Sequence, residues 1–226
     1  MSFVLVSGKP LVGASLDAAR YTNPLNLCFT GLGTDPNGAA NGQRAQAKEF
    51  QAMFPGSDFL IWSWSKIGWG LPDAIKECEQ LYAQMIAGNA NGPYTHFIGS
   101  GHSFGGSFWH FFIWWLSVVH PDADVALARF LDPVPNFYDN KPWNLPVKHV
   151  DRSMQWTQCA GAGWYSPFFP NGTPLVSDDP ARPIESVKFG FWSGINHLSL
   201  VADDRVWLPS KTAMIQAVGG ICRVYS

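Results

Sequence analysis

The chain has 226 residues, of which 46% are apolar, 15% are aromatic and only 14% are charged. A chain of this length can bury a sizeable core, and we expect one domain over residues 1–226. The formal net charge is -2 and no run of like charges occurs. Composition therefore argues against a nucleic-acid partner, which would need a basic stripe to neutralise phosphates.

The N-terminal stretch MSFVLVSGKP has neither a basic leader nor a long apolar run. No signal peptide is visible, and a cytoplasmic location is the default expectation. The longest apolar run, FWHFFIWWLSVV at 108–119, is too short to span a bilayer and predicts a buried helix. We therefore expect no integral membrane segment, and the sequence does not indicate the oligomeric state.

Short β-like runs alternate with helical runs along the chain. The predicted strands are 3–8, 25–31, 58–64, 94–100, 124–132, 147–159 and 184–192. The predicted helices are 39–54, 71–89, 103–120 and 208–218. The first helix has Ala45, Phe50 and Met53 on its apolar side, and Pro209 opens the last. This alternation predicts an α/β fold: a three-layer α/β/α sandwich around a mostly parallel, doubly wound sheet.

The cysteines are scattered along the chain at Cys28, Cys78, Cys159 and Cys222. None lies at metal-ligand spacing from another, so paired-cysteine metal chemistry is not expected. Buried thiols are the simplest interpretation, with a disulfide between Cys159 and Cys222 left open. We expect neither a metal nor an organic cofactor.

The glycine-rich stretch GSGHSFGG, at 99–106, lies between a predicted strand and a predicted helix. A dinucleotide-binding turn would need a third glycine at position 104, which is Phe104, and a phosphate-binding P-loop would need a lysine. Residues 101–105 instead match G-x-S-x-G in every position. In that strand–turn–helix context the pattern predicts a nucleophile elbow, a strained turn that exposes the hydroxyl of Ser103.

A nucleophilic serine needs a base, and the base needs a third group to orient it. Among the six histidines, only His197 follows the last predicted strand on a loop before the terminal helix. His102 lies in the elbow itself and is expected to point away from the serine. The others are His96, His110, His120 and His149. We therefore predict that His197 is the base.

The acid should lie between Ser103 and His197 in the chain. Asp132 ends the strand VALARFLD and precedes Pro133, which makes it the first candidate. Asp151 is the second, followed by Asp178 and Asp179. Asp203 and Asp204 come after the histidine and break the order.

An oxyanion hole needs two backbone N–H groups that point at the developing charge. The Phe104 N–H, next after the nucleophile, is one candidate. The Leu32 N–H is the other, because TGLGT at 30–34 is a glycine-rich loop that follows a predicted strand.

These residues resemble the α/β-hydrolase superfamily, specifically its lipase-like and esterase-like members, over nearly the whole chain in element order. The similar motifs are GHSFGG (101–106), FLDPVP (130–135) and INH (195–197). GHSFGG is similar to the elbow of lipases and of some thioesterases, and LDPVP is similar to a lipase acid loop, which favours Asp132. Many relatives carry His-Gly where this chain has Thr30-Gly31.

The interval between Asp132 and His197 must hold at least one strand, so no large lid domain is expected. The loop 159–176 would cover the site only in part, leaving a fairly open cleft. Aromatic residues near the expected mouth would suit an apolar or aromatic acyl group. They are Trp62, Trp64, Trp69, Phe168, Phe169 and Trp192, of which Trp64, Trp69 and Trp192 are the predicted substrate-binding residues.

Together, sequence and resemblance predict a serine hydrolase that cleaves small or lipid-like carboxylic esters through an acyl-enzyme on Ser103. A thioesterase or acyltransferase would use the same three residues, and a polymer esterase would act on insoluble substrate. A non-catalytic binding module on the same scaffold is a further alternative.

Overall fold

A computed structural model describes residues 3–8, 23–31, 42–63, 71–134, 144–160 and 172–219. Nine strands run in chain order through these residues: β1 Phe3–Val6, β2 Pro24–Thr30, β3 Asp58–Ser63, β4 His96–His102, β5 Leu127–Leu131, β6 Asn144–Leu145, β7 Ser153–Gln158, β8 Val176–Ser177 and β9 Glu185–Phe189. The α-helices are α1 Gly42–Met53, α2 Leu71–Ala87, α3 Phe104–Val119 and α4 Asp204–Ala217.

Seven strands form one sheet in the order β1-β3-β2-β4-β5-β7-β9. Every neighbouring pair is parallel except β1 with β3, which is antiparallel. The parallel strands require crossover helices, which cover both faces of the sheet. The predicted doubly wound, mostly parallel sheet is therefore confirmed.

The strands β2, β3 and β5 are buried along their whole length, as their largely apolar character predicts. The strand β7 is equally buried although most of its residues are polar. Alternate side chains of β2 enter different layers: Leu27 and Phe29 pack with α2 and α3, whereas Cys28 packs under α1. The α4 helix covers β5 and β7 on the α1 side. The three predicted layers follow from this alternation.

The α3 helix has apolar character all round, but it is buried on one side only. Its sheet-facing residues, such as Trp109 and Phe112, are fully buried against β2 and β4. Trp114 (48% exposed), Val118 (61%) and Val119 (49%) face solvent. The helix is therefore less buried than its apolar composition predicts. No helix in the described ranges is long and apolar enough to cross a membrane.

Polar contacts explain why the buried face of α1 and the start of α4 differ from the sequence-based expectation. The buried side of α1 contains Gln43, Gln46, Ala47 and Phe50, whereas Ala45 is exposed. Gln43 is accommodated there because its amide donates to the carbonyl and hydroxyl oxygens of Ser100. The α4 helix starts at Asp204, because the Asp203 side chain accepts the Arg205 N–H as an N-cap. Pro209 therefore lies inside this helix rather than opening it.

The predicted strand 147–159 is shorter than expected because its first part forms a turn. Val147–His149 are a 3₁₀ turn, in which the Val147 N–H donates to the Asp178 carboxylate. This places β6 beside β8 in a small parallel pair, which the sequence does not predict. Cys28 and Cys78 are buried thiols, as expected, and Cys159 is a half-buried free thiol; Cys222 lies outside the described residues.

The close approach of α3 to β2 gives a stability prediction. A Cβ at Gly105 would overlap the carbonyl oxygen of Phe29, which belongs to the sheet backbone and cannot move away cheaply. We expect Gly105→Ala to lower the free energy of unfolding by about 2 kcal/mol or more, as overpacking does. Urea denaturation measures the change.

The matched control is Gly190→Ala, where an added Cβ meets nothing within 4 Å. We expect that variant to stay within about 0.5 kcal/mol of the parent. Equal stability of Gly105→Ala and the parent would contradict the packing described for this turn.

Candidate active site

Ser103 lies in the turn that joins β4 to α3, as the G-x-S-x-G pattern predicts. Its backbone angles, φ 55° and ψ -128°, are unusual for a residue with a side chain. The Ser103 side chain makes no hydrogen bond that caps α3. A role as an ordinary helix cap therefore does not explain why a serine occupies this strained position.

Small residues allow the turn to be this tight. A Cβ at Gly101 would lie 2.6 Å from the Gly106 Cα, and one at Gly31 would lie 3.1 Å from the Ser103 Cβ. The first contact brings the strand and helix sides of the elbow together. The second places the start of the loop after β2 directly beside the serine, on the side where the Leu32 N–H is expected.

Asp132 directly follows β5, and its side chain is completely buried. It also has a positive φ, of 47°, and no other non-glycine residue in the described part of the chain except Ser103 has one. Its Oδ1 accepts the backbone N–H groups of Gln158 (3.2 Å) and Gly172 (3.0 Å). A Cβ at position 172 would overlap the carboxylate, so this contact requires glycine.

His197 meets the same carboxylate through a short hydrogen bond. Its Nδ1 lies 2.6 Å from the Asp132 Oδ2, and only 3% of His197 is exposed. A carboxylate only accepts, so Nδ1 carries the proton and a neutral His197 has its acceptor nitrogen at Nε2. The pair therefore has the tautomer that a general base requires.

The local sequence around His197 fixes its loop. The Asn196 side-chain oxygen accepts the N–H groups of Leu198 and Ser199, each at 3.0 Å. Ile195 is fully buried in the core beneath α4. The buried Ile195 therefore anchors the loop before His197, and the Asx-type turn formed by Asn196 fixes the backbone around it.

Backbone hydrogen bonds join the elbow to the acid loop. The Ser103 N–H donates to the Leu131 carbonyl at 3.1 Å, and the Val134 N–H donates to the Ser103 carbonyl at 3.0 Å. The residues on both sides of Asp132 therefore hold the backbone of Ser103. The structure thus brings Asp132 next to both the serine turn and His197.

His102 has a contact that sequence reasoning missed. Its Nε2 lies 2.9 Å from the carbonyl oxygen of His197, and the two imidazole centroids are 4.7 Å apart. Burial, followed by the nearby His197, lowers the pKa of His102 from 6.5 to about 4. At neutral pH His102 is therefore uncharged and donates from Nε2, linking the elbow to the His197 loop.

Gln158 is the second residue that the sequence did not single out. It ends β7, only 1% of it is exposed, and its Nε2 donates to the Asp132 Oδ2 at 2.7 Å. A glutamine at the end of a strand carries no sequence signal by itself. Only the parallel register of β5 with β7 places it against Asp132.

The other acid candidates lie elsewhere. Asp151 is exposed and precedes β7, so it lies at the amino ends of the parallel strands, whereas Ser103 lies at their carboxyl ends. Asp178 and Asp179 accept backbone N–H groups of Val147 and Ala181 in the turns around β8. Asp203 caps α4 and pairs with Arg205 at 2.9 Å.

The aromatic residues expected at the mouth have different surroundings. Trp62 is fully buried and stacks on Phe108, with ring centroids 4.2 Å apart, so its placement at the mouth was wrong. Its side chain points into the layer between the sheet and α3. Trp192 is 93% exposed and lies on the loop before His197. Leu32, Trp64, Trp69, Phe168 and Phe169 lie outside the described residues.

Ser103 itself is 4% exposed. The expectation of a fairly open cleft is therefore not confirmed by the serine's surroundings. Within the described ranges, no group of three or more His, Cys, Asp or Glu side chains is placed to bind a metal ion.

The overall structure of the chain is similar to solved structures of known proteins. No family model matches the chain, and no curated protein matches it. Solved structures do match. One is MGS-M1, an α/β hydrolase enzyme from a Medee basin deep-sea metagenome library, with a TM-score of 0.58 and 12% identity, covering 96% of this chain and 99% of that one.

Two further solved structures are similar to this chain over most of its length. Est1E from Butyrivibrio proteoclasticus has a TM-score of 0.55 and 12% identity, with 96% of this chain and 95% of that one covered. Esterase B from Lactobacillus rhamnosis has a TM-score of 0.55 and 11% identity, with coverages of 96% and 87%. The chain has the α/β-hydrolase fold. In this fold the Ser103 turn, the Asp132 turn and the His197 loop each follow the carboxyl end of a parallel strand.

The lowered pKa of His102 gives a test of its burial. Between pH 6.5 and about 4 the unfolded chain binds a proton at this histidine that the folded chain does not. The free energy of unfolding should therefore fall as the pH drops through this window, and less steeply in His102→Gln. Urea denaturation at several pH values measures both slopes, and equal slopes would show that His102 is not desolvated.

Proposed function

We propose that this chain is a serine hydrolase that cleaves carboxylic esters through an acyl-enzyme on Ser103. The observation that carries the proposal is that backbone strain occurs at the predicted nucleophile and at the predicted acid. The two described non-glycine residues with positive φ are Ser103 and Asp132, and Asp132 holds His197 at 2.6 Å. Backbone strain persists only where surrounding contacts enforce it, and it clusters at active sites.

The proposed reaction begins with proton transfer. The Nε2 of His197 takes the Ser103 hydroxyl proton as the Oγ attacks the ester carbonyl, and the alcohol leaves with that proton. Water, activated by the same nitrogen, then releases the acid from the acyl-enzyme. The buried Asp132 carboxylate keeps the Nδ1 proton in place and stabilises the imidazolium as it forms.

The proposed oxyanion hole consists of the N–H groups of Phe104 and Leu32. Phe104 is the first residue of α3, so its N–H belongs to the positive end of a helix. The proximity of Gly31 to Ser103 supports the choice of Leu32. Trp64, Trp69 and Trp192 are proposed to contact the acyl or alcohol portion of the substrate.

Two solved structures of this fold contain ester-related ligands. Esterase B is solved with a tributyrin phosphonate inhibitor and Est1E with bound ferulic acid. At 10–12% identity these proteins share only the fold, so the substrate class rests on the site. Chromogenic esters of graded acyl length, measured beside matching thioesters, distinguish an esterase from a thioesterase.

The nucleophile is tested with a fluorophosphonate probe and peptide mass spectrometry. We expect the probe to label Ser103 in the folded protein, and Ser103→Ala to lose both labelling and at least about 10³-fold of kcat/KM. Ser107→Ala is the control: Ser107 lies in α3, four residues after Ser103, and its buried hydroxyl donates to the Val134 carbonyl. Labelling that survives in Ser103→Ala would disprove the mechanism.

The acid is tested by comparing two Asp→Asn variants. Asp132→Asn replaces the acceptor of the His197 proton with a neutral amide, and we expect kcat/KM to fall by about 10³-fold or more. Asp178→Asn keeps an oxygen for the Val147 N–H, so its activity should stay near that of the parent. Near-parental activity of Asp132→Asn would move the acid to another residue.

A further inference from the structure

Both strong donors to Asp132 share a single carboxylate oxygen. The Nδ1–H of His197 and the Nε2–H of Gln158 reach Oδ2 at 2.6 and 2.7 Å. Each donor draws negative charge from that oxygen, so the two compete for the same lone-pair density. The strength with which Asp132 holds the imidazole therefore depends on Gln158.

The orientation of the Gln158 amide is fixed by its other end. Its Oε1 accepts the N–H of Ala160, two residues further along the chain. Its backbone N–H also donates to the Asp132 Oδ1. A flipped amide would place two acceptors against each other at Asp132 and two donors against each other at Ala160, so the nitrogen must face Asp132.

Few other charges face the pair. From the end of β4, the imidazole of His102 lies beside His197 and is neutral at neutral pH. The half-buried thiol of Cys159 lies one residue beyond the end of β7. In the first turn of α4, Arg205 donates to the Ser193 carbonyl while paired with Asp203. In the described residues, none of these side chains donates to the Asp132 carboxylate.

We propose that Gln158 is a positioning residue that fixes the Asp132 Oδ2 and weakens its attraction for a proton. The proposal rests on the proposed function of Asp132 and His197 as the acid and base. Without the amide, the more basic carboxylate would stabilise the imidazolium, which cannot accept the serine proton. A residue with only a structural role would lower activity equally at every pH.

Gln158→Leu tests this role, with Gln155→Leu as the matched control. Gln155 lies on the same strand and is 3% exposed, but its amide donates to Leu175 and Ser186 instead. We expect Gln158→Leu to lose about tenfold or more in kcat/KM on a chromogenic ester. The ratio of its kcat/KM to that of the parent should be lowest at acid pH and rise with pH, whereas the ratio for Gln155→Leu should stay flat.

Gln158→Glu gives the opposite slope and keeps the side-chain shape. While the new carboxyl retains its proton it can donate to Oδ2 as the amide does, so activity should be close to that of the parent at the acid end. Once ionised it is a second negative charge beside Asp132, so the ratio to the parent should fall as pH rises. This variant also decides the question if Gln158→Leu does not fold.

A readout independent of turnover separates this inference from the proposed function. The His197 Nδ1–H proton is followed by NMR with ¹⁵N-labelled histidine in parent and variants. We expect Gln158→Leu to move this resonance downfield, because the hydrogen bond to Oδ2 strengthens. An unchanged resonance, or flat pH ratios in both Gln158 variants, would overturn the role of Gln158. Failure of the fluorophosphonate to label Ser103 in the parent would instead overturn the proposed function.

Discussion

The buried charge of Asp132 is the constraint around which this end of the molecule is built. A carboxylate with no exposed surface is tolerated only if hydrogen bonds replace its lost water. β7, the segment beginning at Gly172 and the His197 loop all supply donors to it. Because Leu131 and Val134, on either side of Asp132, hydrogen-bond to the backbone of Ser103, this short segment ties the serine turn to His197.

The strain at Ser103 and Asp132 belongs to this arrangement. Each residue directly follows a parallel strand, at the point where the backbone turns sharply with a positive φ. Neighbouring strands in register stop at the same level, His102 opposite Leu131, so the two turns lie side by side and exchange hydrogen bonds. The hydrogen bonds between the two turns thus keep each backbone in its strained conformation.

The sequence points to the residues of the candidate site more readily than to the contacts among them. G-x-S-x-G in strand–turn–helix context, Asp132 at a strand end and His197 before the last helix can all be read from local pattern, because a strand end determines where a side chain emerges. Gln158 and His102 could not be found this way, since their contacts depend on which strands become neighbours. The same limit applies to Trp62 and Ala45. Whether Trp62 faces core or mouth, and whether Gln43 or Ala45 is buried, depends on partners distant in sequence.

The attachment of the segment 159–171 also has a consequence for how this protein could diversify. The residue before it, Gln158, and the residue after it, Gly172, donate backbone N–H groups to the same Asp132 oxygen. The two ends of the segment are therefore held next to each other, whatever lies between. Because the entropic cost of closing a loop rises by only about 0.6 kcal/mol for each doubling of its length, insertions and exchanges there should be tolerated. Natural variation or laboratory recombination can thus alter this segment while Asp132 stays in place, provided that Gly172 and the N–H at position 160 are kept.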